Sequence, residues 1–253
     1  MMTDMKRLEG KVILIAGAAS GIGAAIAGRC IAEGANVVCA DYDLERAAKL
    51  AEALGPSAVA CQCDVTNIDS AKSAVDFAEQ KYGRLDGLVH NAAAPSTNAT
   101  VVNLDESAWR HEIDVDLTGA FLMSKFAVPL IAKGGGGSVV FIGSQFARVA
   151  TTRAVAYCAA KAGLIHLAKA MAVDHAPDKV RVNSLSPGAV ATTRLLRRFA
   201  DFDAANASLG PAHLLGRIAE PDEIAAAAAF LLSSDASFVT GSDMLVDGGY
   251  AVR

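Results

Sequence analysis

Seven short apolar runs punctuate the chain: KVILIA (residues 11–16), NVVCAD (36–41), AVACQCD (58–64), DGLVHN (86–91), SVVFIGS (138–144), VRVNSLS (180–186) and DMLVDG (243–248). They are nearly continuous rather than alternating, which suits parallel strands covered on both faces. Helical spacing of apolar positions fills residues 23–33, 44–54, 69–82, 156–176 and 221–232 between them. The last of these opens Pro221-Asp222-Glu223, and proline with acids in a first turn is a good helix start. Strand and helix repeated in this order predict an α/β fold, one doubly wound parallel sheet of about seven strands with helices on both faces. Ligands then belong at the carboxyl ends of the strands.

Two stretches break the rhythm. GGGG at residues 134–137 reads as a flexible connection into a strand. Residues 191–216 are long for a strand-to-helix connection and mix Leu195, Leu196, Phe199 and Phe202 with arginines, the pattern of a lid or binding loop.

At 253 residues the chain is read as one domain over residues 1–253, a length that α/β folds use as a single unit. The hydrophobic fraction of 53% is high. Its runs are interrupted by Gly, Asp, Asn or Ser, so none is expected to span a bilayer. A net charge of −4 and no Lys/Arg tract argue against nucleic acid or an anionic membrane as partner. The densest basic cluster, Arg194, Arg197 and Arg198, is either a solvated helix face or a contact to an anionic substrate.

Five cysteines without paired zinc spacing fit a reducing compartment, and no metal site is expected. Cys158 has no local base and is read as a small packed residue. The opening MMTDMKRLEGK holds no apolar core of a signal peptide, so a cytoplasmic location is the default.

Candidate chemistry begins where the first run ends. In AGAASGIG, Gly17, Gly21 and Gly23 stand between a strand and a helix. Glycine lets the backbone approach a ligand closely, and the helix start offers free N–H groups, so a pyrophosphate fits there. Asp41 closes the second run at the distance where an acid accepts hydrogen bonds from an adenosine ribose, with Tyr42 and Asp43 following. A carboxylate there repels a 2′-phosphate, which favours NAD over NADP. Further on, AYCAAK places Tyr157 and Lys161 four residues apart, neighbours on one helix face.

Taken in order, Gly17/Gly21/Gly23, Asp64-Val65, Asn91-Ala92-Ala93, Ser144, Tyr157 with Lys161, Asn183, Pro187-Gly188 and VDGG at 246–249 resemble the short-chain dehydrogenase/reductase family along nearly the whole chain. The resemblance implies a Rossmann-type fold and a hydride-transferring oxidoreductase in which Ser144, Tyr157 and Lys161 are catalytic. Their predicted places agree: Ser144 ends the fifth run, and the pair lies on the next helix. A free tyrosine has a pKa near 10, so an ammonium neighbour is what a proton-accepting Tyr157 needs.

Family members further imply that Ser20 and Ile22 join the glycine loop, that Asp64 and Val65 border the adenine, and that Asn91 and Ala93 border the ribose. Pro187, Gly188, Val190 and Thr192 fall on the nicotinamide side, and Lys161 on the nicotinamide ribose. Asn183 is read as structural. A variable pocket for substrate is expected from Gln145, Arg148, Phe146, Ala94, Pro95 and the lid. The resemblance also suggests a homotetramer, with the carboxyl-terminal VDGGYAVR near a subunit contact or a neighbouring active site.

Three positions depart from the family pattern: Ala16 where threonine is usual, His90-Asn91-Ala92-Ala93 for Asn-Asn-Ala-Gly, and Asp116 for the asparagine of the catalytic tetrad. His90 is read as packing rather than acid or base. Asp116 serves a proton relay if only its backbone carbonyl is needed, and alters the relay if the side-chain amide matters. The leading expectation is an NAD-dependent dehydrogenase of a secondary alcohol, a polyol, sugar-derived or other small hydroxy compound. A 3-oxoacyl thioester reductase and a non-catalytic dinucleotide-binding scaffold are the alternatives.

Overall fold

The computed structural model describes residues 6–252. Met1 to Met5, part of the segment read for a signal peptide, and Arg253 of VDGGYAVR lie outside the described residues. The seven apolar runs form β1 (Val12–Ala16), β2 (Asn36–Asp41), β3 (Ala58–Gln62), β4 (Gly87–His90), β5 (Gly137–Ile142), β6 (Val180–Pro187) and β7 (Asp243–Val246). All pair in parallel, in the order β3-β2-β1-β4-β5-β6-β7. The chain builds outward from β1 in one direction and from β4 in the other, so a crevice opens between the carboxyl ends of these two strands.

The sheet separates two apolar layers, and single strands feed both. Val12, Leu14 and Ala16 of β1 point into one, Ile13 and Ile15 into the other. That alternation is the pleat, and each fully buried Ile or Leu contributes about 1.5–3 kcal/mol.

Helices α1 (Gly21–Ala32), α2 (Leu44–Leu54), α3 (Ile68–Tyr82), α4 (Glu106–Ile113), α5 (Gly119–Lys133), α6 (Val155–His175), α7 (Thr193–Leu196), α8 (Phe202–Leu209) and α9 (Pro221–Leu232) cover it. α3, α5 and α6 bury apolar side chains in the first layer, α1 and α9 in the second. Their ends follow local chemistry. Asn67 accepts from the Asp69 and Ser70 amides at the start of α3, and Gly83 closes it in the left-handed region at φ 72°. Glu220 and Glu223 form a reciprocal cap before α9.

α4 and α5 run on through one π-helical turn, Asp114–Thr118. The combined helix Glu106–Lys133 is absent from the windows read in the sequence, because its charged first half and Gly119 mask the apolar second half. It also corrects the expectation that no segment could span a bilayer. This one, 28 residues long, is long and apolar enough by length and composition, with an 18-residue window of mean hydropathy 1.5. Its apolar side chains, among them Leu122, Met123, Val128 and Ile131, pack into the first layer under the sheet. A π turn widens the helix by one residue per turn and re-aims side chains, here bringing Asp116 inward to 1% exposure.

Residues 191–216 are not a bare loop. They hold α7, capped by the Thr192 hydroxyl, and α8, capped by the Asp201 carboxylate.

Candidate active site

The loop after β1 is shaped by how closely it meets the end of β4. Gly17 has φ +80° and Gly21 +55°, conformations that side-chain-bearing residues resist. A Cβ on Gly17 would lie 2.6 Å from the Ala92 nitrogen, and one on Gly23 only 2.1 Å from the Gly17 oxygen. Asn91 Nδ2 donates to the Gly17 carbonyl at 2.7 Å, tying the two strand ends together. From β2, Asp41 Oδ2 accepts from the Ala19 amide at 2.9 Å and Oδ1 from the Asp43 amide at 3.0 Å. Asp41 therefore braces the loop while remaining half-exposed.

No acid occupies the first turn of α1, so the positive end of that helix is uncompensated beside exposed Ser20 and half-buried Ile22. This bare cradle, closed to any side chain, fits the pyrophosphate of a dinucleotide. Asp64 Oδ1 accepts from the amide and hydroxyl of Thr66, and buried Val65 packs on Gly119.

On the other side of the crevice stand Ser144, Tyr157 and Lys161. Ser144 is 5% exposed, and its Oγ accepts from the Phe146 amide at 3.1 Å. Lys161, one turn beyond Tyr157 on α6, is buried. Its Nζ donates to the Ile142 carbonyl at 3.0 Å and lies 5.7 Å from the centre of the Tyr157 ring. Nζ also stands 3.2 Å from Asp116 Oδ2, an ion contact with poor hydrogen-bond angles, while Asp116 Oδ1 accepts from the Ala94 amide at 2.7 Å.

His90 is wholly buried below this pair, its ring edge-on to Phe141. Neither ring nitrogen finds a hydrogen-bond partner among the described residues. Burial first, then the nearby Lys161 charge, push its pKa down to about 3, against a weaker pull from the Val115 carbonyl. A neutral ring of this kind is a packing group.

The nicotinamide-side residues named from the resemblance meet the lid. A Cβ on Gly188 would come within 2.9 Å of the Asp247 Cα and of His213 Nε2, and 3.0 Å from the buried Gln145 Oε1. Pro187 ends β6, and Val190 bridges to Ala219. The Thr192 methyl lies over Gly21, so the first residues of the lid roof the glycine loop.

Arg194 reaches from α7 to the Ala93 and Ala94 carbonyls, whereas Arg197 and Arg198 are exposed. Arg148 turns to the sheet edge, where its Nε donates to Asp243 Oδ2 at 2.6 Å. It is thereby held by β7. Asn183 bridges the Val239 carbonyl and the Ser242 amide and so fixes the turn into β7. His213 was not singled out in the sequence. It is nearly buried, with Nδ1 to the Leu209 carbonyl at 3.0 Å and Nε2 accepting from the Ala189 amide, and no local pattern marks it.

No cluster of three or more His, Cys, Asp or Glu placed to hold a metal occurs among the described residues.

A family model described as "Enoyl-(Acyl carrier protein) reductase" matches residues 17–251. The chain belongs to the short-chain dehydrogenase/reductase family. It is 40% identical over 250 residues, 98% of this chain and 95% of the relative, to D-threitol dehydrogenase of Mycolicibacterium smegmatis. It is also 40% identical over 243 residues, 95% of this chain and 96% of the relative, to cis-4-hydroxycyclohexanecarboxylate dehydrogenase of Sinomonas cyclohexanicum. Among solved structures, the ligand-free aldohexose dehydrogenase of Thermoplasma acidophilum superposes with a TM-score of 0.89 at 34% identity, covering 98% of this chain and 97% of that one. This short-chain dehydrogenase/reductase is accordingly an oxidoreductase that works on alcohols with a nicotinamide cofactor.

Proposed function

We propose that the protein is an NAD-dependent dehydrogenase of a small secondary alcohol, a polyol, sugar-derived or cyclic hydroxy compound, acting from a single domain. The observation that carries this reading is the buried Lys161 ammonium beside the Tyr157 ring at the edge of the crevice that the glycine loop lines. Named activities of the relatives, on threitol and on a hydroxycyclohexanecarboxylate, point the same way.

In this reading Ser144 Oγ orients the substrate oxygen. Tyr157 Oη takes the hydroxyl proton during oxidation and returns it during reduction. Lys161 favours the tyrosinate by its charge. Gly17, Ser20, Gly21, Ile22 and Gly23 would hold the cofactor's pyrophosphate, Asp41 the adenosine ribose, Asp64 and Val65 the adenine, and Asn91 and Ala93 a ribose. Pro187, Gly188, Val190 and Thr192 would face the nicotinamide, which when bound supplies the hydride acceptor or donor. Gln145 and the lid bound the substrate, and Arg148, held by Asp243, is left out of that set.

NAD is favoured because Asp41 presents a carboxylate where a 2′-phosphate would add like charge. Assembly as a homotetramer rests on family likeness and on the exposed Trp109, Phe121 and Val173, 38%, 49% and 77% accessible, along α4 to α6. Five free cysteines suit a reducing, cytoplasmic setting.

Absorbance at 340 nm over a panel of polyols, sugars and cyclic alcohols, with both cofactors, tests the proposal. NAD-linked oxidation of one of these classes is expected. Turnover of 3-oxoacyl thioesters with NADPH alone would replace it.

A further inference from the structure

Lys161 is compensated in an unusual way. Its ammonium is 3% exposed, and the Asp116 carboxylate, 1% exposed, stands 3.2 Å from it. The family resemblance puts asparagine, a neutral residue, at this position as the usual one. Here the ammonium faces a carboxylate held by the Ala94 amide on one oxygen, with the other 3.2 Å from Nζ.

Other groups around the ammonium do not offset this. His90, from β4, is neutral and wholly buried. Glu112, from α4, gives one oxygen to the Thr97 amide at 2.7 Å, and Asp114 of the π turn is exposed. The 3₁₀ turn Gln145–Ala147 contributes no titratable side chain, and β5 presents only the Ile142 carbonyl. Tyr157, on the same helix as Lys161, is left as the titratable group that feels the pair as a unit.

We propose that Asp116 is a positioning residue that neutralises Lys161 in a buried ion pair, so that Tyr157 keeps a higher proton affinity than a neutral residue at 116 would give it, and alcohol oxidation is displaced to alkaline pH. This rests on the proton-handling role of Tyr157 proposed above. A lone ammonium near a phenol favours the phenolate; a carboxylate paired with the ammonium cancels part of that field. The same carboxylate orients Nζ between the Ile142 carbonyl and the Tyr157 ring. Its effect on chemistry is thus exerted through Lys161.

The decisive experiment needs no substrate. Ultraviolet difference titration of the wild type against Tyr157→Phe, both without cofactor, locates the Tyr157 ionisation. In Asp116→Asn, measured against the double variant Asp116→Asn/Tyr157→Phe, it is expected to fall by about one unit or more, the scale on which a nearby charge moves a pKa.

An unmoved value in Asp116→Asn would overturn the proposal. Should Asp116→Asn fail to fold, Asp116→Ser against Asp116→Ser/Tyr157→Phe gives the same comparison. With a substrate in hand, the ascending limb of kcat/KM for oxidation should move to lower pH by the same amount in Asp116→Asn, while a merely structural loss would lower the rate without moving the limb. If no alcohol is turned over but the titrations behave as expected, the functional reading fails and the ion-pair proposal stands.

Discussion

Gly17 and Gly216 share a positive φ, +80° and +70°, in opposite surroundings. A Cβ on Gly17 would strike the backbone of Ala92 at 2.6 Å, whereas one on Gly216 would meet nothing within 4 Å. The glycine loop is defined by backbone pressed against backbone, fixed by Asn91 and Asp41, with no room for change. The lid is assembled from short capped helices and a few reaching side chains, close-packed at Gly210, where a Cβ would lie 2.9 Å from the Gly216 oxygen, but open at Gly216 itself. A cofactor common to a family calls for the first kind of construction, and a substrate particular to one member for the second.

Substitutions at these positions separate the two kinds of construction. Gly17→Ala combines a steric clash of about 1–3 kcal/mol with about 1–2 kcal/mol for a left-handed non-glycine residue. It is expected to lower the melting temperature and abolish NADH binding followed by fluorescence. Full cofactor affinity in that variant would show that the loop yields as easily as the lid.

His90 gives the next largest effect, and a pH-dependent one. Its pKa is pushed down to about 3 in the fold from an ordinary value near 6.5, so between those limits the unfolded chain binds a proton that the native protein does not. Stability must therefore fall as pH falls through that window, by at most about 1.4 kcal/mol per unit from this group. His90→Asn should flatten the decline in melting temperature between pH 6.5 and about 4.5. A decline as steep as the wild type's would place a proton on the buried ring.

Arg194 probes what holds the lid. Arg194→Ala removes the guanidinium from the Ala93 and Ala94 carbonyls, and because the group is exposed it should cost about 1 kcal/mol or less. That loss should appear in KM for the alcohol or in product release rather than in the melting temperature. Smallest is Gly216→Ala, expected to cost about 1 kcal/mol of stability from backbone conformation alone, with cofactor affinity unchanged. A large loss of binding there would mean that the lid, too, is built to a close fit.

The same contrast governs what could be read from the sequence. Strands announced themselves because both faces of the sheet are buried, which demands continuous apolar runs, and their observed limits fall within two residues of those read. Gly17, Asp41, Ser144 and the Tyr157/Lys161 pair were legible because each sits at a strand end or on one helix turn.

What stayed hidden depends on packing across long separations. Asp116 finds Lys161 through a π turn that carries no sequence mark, and Arg194 crosses 101 positions to Ala93. Arg148, expected near substrate, is drawn to Asp243 because that carboxylate lies on the neighbouring strand edge, a relation fixed only when β7 docks on β6. His213 became visible only through the backbone groups at Leu209 and Ala189 that it satisfies.

The proton-handling role proposed for Tyr157 underlies the nicotinamide-linked alcohol oxidation. Its most direct test is the initial rate at 340 nm, with NAD and the best alcohol of the panel, for the wild type and Tyr157→Phe, alongside NADH binding to each. The rate is expected to fall by about 10²–10⁴-fold, the range that a positioned acid or base contributes, with NADH affinity largely retained. A Tyr157→Phe variant that oxidises the alcohol within about twofold of the wild type would contradict it.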